Sequence, residues 1–258
     1  MDFTLKKYRE LLMALKDRGY LFRTFAQYCQ HALVPETNYV LLRHDVDLKP
    51  QNSLATAQME ARMGITATYY FRAVPESWNE DVIREIAVLG HEVGYHYESL
   101  TTCNGCMEDA YEDFCKNLKR LRQIAPVSTI CMHGSPRSPY DSKEMWKAYD
   151  YHALGIVGEP YMDSDFSRLF YLTDTGRRWD GARVSVRDKI PVWQDEWERI
   201  GWSYHSTDDI LDAIRNGTLP PYLMMTTHPQ RWTDNKVEWM KELLLQRAKN
   251  IAKRLLVR

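Results

Sequence analysis

The sequence predicts an α/β fold in which parallel strands, each followed by a helix, curl into a closed or nearly closed (β/α) barrel. From residue 39 onward, short apolar runs alternate with helical periodicities at intervals of about 25–30 residues, the rhythm of βα units. Roughly six or seven such strands can be counted, enough to approach closure, with an open doubly wound sheet as the alternative. No repeat, low-complexity segment or Pro/Gly/Ser-rich linker interrupts the 258 residues, so one domain is expected.

Leu5, Tyr8, Leu11, Leu12 and Leu15 stand at helical spacing, and Gly19 supplies a stop. Residues 25–33 read as a second short helix. Tyr39-Val40-Leu41-Leu42 is a strand, and residues 50–63 form a helix that ends at Gly64. Residues 65–71, rich in Thr, Ile and Tyr, form the next strand. Asn79 caps a helix running through Leu89, with Gly90 just past its end. Residues 92–97 are a strand, 107–124 a long amphipathic helix and 127–132 a strand. Between residues 150 and 200 Trp, Gly and charges mix and the pattern blurs; Trp193, Trp197 and Trp202 there are expected in the core. A helix over 208–215, a strand over 222–227 and a helix over 234–256 complete the chain.

Hydrophobic residues at 44% and aromatic residues at 12% exclude a disordered chain. With 34 Lys+Arg against 35 Asp+Glu the net charge is −1, without the basic excess of a nucleic-acid binder. No stretch approaches the ~20 apolar residues of a membrane span, and the first residues lack the apolar core of a secretory signal. The five cysteines, an odd number, are therefore expected as reduced thiols in a cytoplasmic protein. Cys103-Asn104-Gly105-Cys106 is half of a zinc knuckle with no second pair, and is expected to be structural.

The strongest chemical signal is Arg43-His44-Asp45-Val46-Asp47, directly after an apolar strand. Residues i and i+2 of an extended chain point the same way, so Asp45 and Asp47 share the C-terminal end of a parallel strand, where α/β sheets place their sites. Two adjacent carboxylates repel unless one holds a cation or shares a proton. The second signal is Gly90-His91-Glu92-Val93-Gly94-Tyr95-His96-Tyr97-Glu98. Its spacing puts His91 and His96 on opposite faces, so His91 is expected in the core, while His96 and Glu98 share a face. An imidazole beside a carboxylate is ordinary zinc chemistry. His133 and His228 each end a strand-like run.

Together these residues resemble the polysaccharide deacetylase superfamily, also called the NodB-homology domain or carbohydrate esterase family 4. The resemblance runs from Val40 to Trp232. It implies a single-domain distorted (β/α)7 barrel over residues 37–258, with residues 1–36 as an N-terminal helical extension packed on it. Asp45 and Asp47 match the family's first motif, in which the first Asp is the base and the second binds metal. Thr68-Tyr69-Tyr70-Phe71 resembles its next strand, and Gly90 to His96 resembles its second motif, making His96 a metal ligand. A further ligand His is expected four residues on, where this chain has Leu100; Glu98 is the substitute, and His133 is the other candidate. Arg137-Ser138-Pro139-Tyr140 matches the third motif literally. Trp179-Asp180 is a loose echo of the fourth, and Met225-Thr226-Thr227-His228 echoes the last.

The implied activity is a metal-dependent hydrolase acting on C–N amide bonds, a deacetylase of an N-acetylated sugar or saccharide precursor. Asp45 and His228 would be catalytic, as base and acid. Asp47, His96 and Glu98 would hold one divalent ion, Zn²⁺ before Mn²⁺, Co²⁺ or Ni²⁺. His133, Arg137 and Tyr140 would bind the carbohydrate substrate. Two other readings compete: a decayed, non-catalytic sugar-binding module of the same fold, which bound metal would disfavour, and a glycosyltransferase using Asp45-Val46-Asp47, which lacks a Gly-rich nucleotide fingerprint.

Overall fold

The computed structural model describes residues 1–30, 37–135, 138–180, 185 and 188–256, with side chains to residue 251. The chain opens with α1 (Leu5–Asp17), β1 (Leu21–Arg23) and α2 (Phe25–Gln30). Then come β2 (Tyr39–Val46), α3 (Pro50–Arg62), β3 (Thr68–Phe71), α4 (Glu80–Val88) and β4 (Glu92–Tyr97). The short α5 (Ser99–Thr102), α6 (Met107–Arg122) and β5 (Ile130–Met132) follow. After the stretch that blurs in sequence come β6 (Phe170–Thr173), α7 (Pro191–Arg199), α8 (Thr207–Asn216), β7 (Tyr222–Thr227) and α9 (Lys236–Leu256). Among the described residues no helix is long and apolar enough to cross a membrane.

Among those residues the strands form one sheet in the order β5-β4-β3-β2-β7-β6, every pairing parallel. β1 lies beside the first half of β2, which leaves the second half for β3. The segment expected as a helical extension thus also supplies a strand. Neighbouring strands sit about 4.8 Å apart, so in a flat sheet β5 would lie roughly 14 Å from β2. Yet His133 Nε2, just past β5, is 3.5 Å from the carboxylate of Asp47, just past β2. His228, past β7 on the other flank, also comes within 3.8 Å of Asp47. The sheet is therefore curled into a half-barrel. Its open side lies between β5 and β6, which the single-pair bridges Thr129–Gly158 and Thr173–Asp180 extend. The architecture is a single α/β domain on a curled parallel sheet.

Burial follows the periodicities. β2, central in the sheet, is buried at all eight positions. α1 buries Tyr8, Leu11, Leu12 and Leu15. Asn79 caps α4 by accepting the Val82 N–H at 3.0 Å. Lys49 adopts a left-handed φ of 55°, turning the chain from β2 into α3, which starts at Pro50. Gly94 is required by close approach: a Cβ there would meet the Tyr70 ring at 2.3 Å.

Opposite the strand face that carries Asp45, the core holds a buried polar cluster. Glu60 of α3 accepts a hydrogen bond from Tyr69 Oη at 2.8 Å and pairs with His44 Nε2 at 2.8 Å. His44 Nδ1 meets Thr227 Oγ1 at 2.7 Å, tying α3 through β2 to β7. His91 is buried beside this cluster. Its Nδ1 accepts from the Ala67 N–H at 3.2 Å, so Nε2 carries the proton and donates to the Ala57 carbonyl at 3.0 Å. Burial holds its pKa below the ordinary value, so the unfolded chain takes up the proton first and stability falls as pH drops below about 6.5. Replacing His91 with Ala strands two buried backbone groups and should lower stability by about 1–3 kcal/mol. Chemical denaturation at neutral pH measures the loss.

Candidate metal and catalytic site

Asp45, Asp47, His96, His133 and His228 meet at the C-terminal rim of the sheet. Asp45 belongs to β2 and Asp47 follows it, while His96 lies on β4. His133 and His228 are the first residues past β5 and β7. Alternation along β2 turns Arg43 and Asp45 inward and His44 outward, so one strand serves both the site and the core cluster.

Among the described residues, Asp47 Oδ1 is buried without a hydrogen-bond partner. His96 Nε2 lies 3.6 Å and His133 Nε2 3.5 Å from it. The opposite ring nitrogens decide the tautomers. His96 Nδ1 is 2.9 Å from the Cys131 carbonyl, which can only accept, so Nδ1 carries the hydrogen and Nε2 a lone pair. His133 Nδ1 lies 2.9 Å from Glu98 Oε2, with the same consequence. Burial keeps Glu98 from being freely solvated, but its His133 and Arg72 partners pull its pKa to about 2, so it is an ionised acceptor. Burial pushes His96 down to about 4 against the pull of Asp45 and Asp47, leaving the imidazole neutral at pH 7. Three lone-pair donors thus converge within 4.8 Å of one another, an arrangement that is costly unless a cation lies among them. One carboxylate and two imidazoles suit Zn²⁺, and also Mn²⁺, Co²⁺ or Ni²⁺.

The expected ligand Glu98 holds a different place. Its Oε1 receives Arg72 Nε at 2.9 Å and Nη2 at 2.7 Å, and its Oε2 receives His133. It stands behind His133 and fixes that ring, as outer carboxylates do for metal-binding histidines. His133, expected chiefly as a substrate contact, supplies the third donor that Leu100 does not. A second group of donors, Asp45, His96 and Cys131, is less suited. Asp45 is already clasped by Arg43, and burial raises the Cys131 thiol far from ionisation.

Arg43 and Asp174, which both contact residues of this site directly, are not among the residues expected from sequence. Arg43 grips Asp45 through Nε–Oδ1 at 2.8 Å and Nη2–Oδ2 at 2.6 Å. Burial works against ionisation of Asp45, but Arg43, followed by His96, prevails and its pKa is lowered. The i, i+2 reasoning that pairs Asp45 with Asp47 reaches Arg43 too. The other is Asp174, at the end of β6. Its buried carboxylate meets His228 Nδ1 at 2.6 Å, accepts the Trp232 indole N–H at 2.7 Å and accepts Arg231 Nη1 at 2.6 Å. Arg231 Nη1, which can only donate, lies 2.9 Å from the same Nδ1, but the shorter contact is to the carboxylate, which only accepts, so Nδ1 carries a proton and Nε2 faces the site. Burial and Arg231 depress the His228 pKa, yet Asp174 and Asp47 outweigh them and it is raised.

Tyr140 is 37% exposed, its ring against Gly105 in the turn over residues 103–106. Arg137 lies outside the described residues.

No family model matches the chain, and no curated protein matches it. Solved structures of carbohydrate esterase family 4 proteins are similar to it at low identity. One is a family 4 pseudoenzyme from Bacillus anthracis, with a TM-score of 0.43 and 13% identity over 85% of this chain. The chain spans 62% of that protein's length. PdaA from Bacillus subtilis, a family 4 carbohydrate esterase, has a TM-score of 0.41 and 12% identity, over 93% of this chain and 84% of that one. A mutant of the peptidoglycan deacetylase PdaC from Bacillus subtilis has a TM-score of 0.39 and 12% identity, over 86% of this chain and 99% of that one. No residue role follows from likeness at this level.

Proposed function

We propose that the chain is a metal-dependent hydrolase that removes an acetyl group from the nitrogen of an amino sugar. The observation that carries this reading is the unpartnered Asp47 Oδ1 faced by His96 and His133, with a separate carboxylate and a separate imidazole beside it. Asp47, His96 and His133 would hold the ion, with Glu98 and the Cys131 carbonyl orienting the two imidazoles. A divalent ion at such a site polarises an amide carbonyl and brings the pKa of water toward ~7.

The remaining groups divide the proton chemistry. Asp45 lies 3.7 Å from His96 Nε2 and so borders the ion's position. Arg43 keeps it ionised and fixed in direction, ready to accept the proton of the attacking water. His228 faces the same space from the opposite flank, protonated on the Asp174 side and raised in pKa. With Nδ1–H held by Asp174, the raised pKa favours a second proton on Nε2, which passes to the departing nitrogen as the C–N bond breaks, so that an amine and acetate leave. An acid and a base whose environments push their pKa values apart fit this assignment.

The grip of Arg43 also supports a second reading. A carboxylate bound at two points and lowered in pKa is a weaker base, as would suit a chain that binds sugars without cleaving them. Acetate release from N-acetylglucosamine oligomers, measured with Zn²⁺, Mn²⁺ or Co²⁺ and with chelator, separates the two. The hydrolase reading expects release that needs the metal and is lost in Asp45→Asn. Sugar binding without acetate release under any of these ions would establish the binding module.

A further inference from the structure

We propose that Gln230 is a positioning residue for Asp47, setting which carboxylate oxygen is free to meet the metal ion; this rests on the metal site put forward above. Gln230 lies in the short turn Pro229–Arg231, immediately after His228. It is 4% exposed, and its Nε2 donates to Asp47 Oδ2 at 3.3 Å. A flipped amide would set its carbonyl oxygen against that carboxylate, so the orientation is fixed by charge. The two oxygens of Asp47 are thereby unequal. Oδ2 is engaged by Gln230, whereas Oδ1 is left bare toward His96 and His133. With Oδ2 held, Asp47 presents one oxygen, the mode a compact tetrahedral site requires.

The glutamine's other end argues that packing alone does not explain it. Among the described residues, Gln230 Oε1 is buried with no hydrogen-bond partner. A buried acceptor left unsatisfied is destabilising, whereas an apolar side chain of the same shape would fill the position without that cost. Each of the three donors then has its own outer partner: Cys131 O for His96, Glu98 for His133 and Gln230 for Asp47. The first two act on ring orientation and tautomer. Gln230 acts on a carboxylate, and it does so from the loop that carries His228, which couples the metal end of the site to the acid end.

The test compares wild type, Gln230→Met, Gln230→Leu and Asp47→Asn by competitive Zn²⁺ titration and by the visible absorption of the Co²⁺-loaded proteins. Both Gln230 variants should bind Zn²⁺ about 10–100-fold more weakly, the range for loss of an outer partner. Their Co²⁺ bands should shift, because Asp47 becomes free to offer both oxygens. The melting temperature of the metal-free protein should change little, and the more stable of the two variants suffices. A wild-type Zn²⁺ affinity together with unshifted Co²⁺ bands in that variant would overturn the role of Gln230 while loss of binding in Asp47→Asn left the metal site standing. Equal Zn²⁺ binding by wild type and Asp47→Asn would overturn the metal site and this inference with it.

Discussion

The metal-loaded His228→Ala protein should turn over an N-acetyl substrate at least about 10²-fold more slowly than wild type, while an activated ester suffers much less. The contrast isolates the step. An amine is expelled slowly unless its nitrogen is protonated, whereas an activated phenolate leaves without help. The geometry makes the loss specific, because His228 Nδ1 is anchored on Asp174 and Nε2 faces Asp47 at 3.8 Å. His228 is not among the three donors that converge within 4.8 Å of one another, so the variant should retain its metal. Parallel rate measurements on both substrates decide the matter, and an equal loss on both would reject a role in protonating the leaving group.

Asp47→Ala should lose divalent-metal binding by more than the roughly 10–100-fold expected for an outer partner, because it removes the only carboxylate oxygen among the three converging donors. Stability gives a second readout. An ion at 100 times its Kd adds about 2.7 kcal/mol to the folded state. Chelator should therefore lower the melting temperature of wild type and leave Asp47→Ala unmoved. The sign follows from mass action: the ion binds the folded site, and the unfolded chain does not gather those donors. Metal content and thermal denaturation with and without chelator check both outcomes.

How far the site can be read from sequence depends on strand length. Glu92–Tyr97 and Tyr222–Thr227 are legible to the residue, because each is a run of six with clear punctuation before it. The same alternation separates buried His91 from His96 and pairs Asp45 with Asp47. β1, three residues long, carries no period of its own and exists because β2 offers it an edge. β6 is a four-residue apolar run inside a stretch of tryptophans and charges, and with it goes Asp174, whose partners His228, Arg231 and Trp232 lie more than fifty residues away. Glu98 and His133 show the other limit. Shared facing along β4 makes Glu98 a plausible ligand, but only the curl of the sheet brings His133 between it and Asp47. Arg72, from the end of β3, then completes the pairing of Glu98.

Anomalous diffraction at the zinc edge from crystals of the Zn²⁺-loaded protein locates the ion and its ligands. One strong peak is expected about 2.0–2.2 Å from one oxygen of Asp47, His96 Nε2 and His133 Nε2, with Glu98 still bonded to His133 Nδ1. A peak liganded by Glu98 or by Asp45 and Cys131, or no peak within reach of Asp47, would contradict this ligand set.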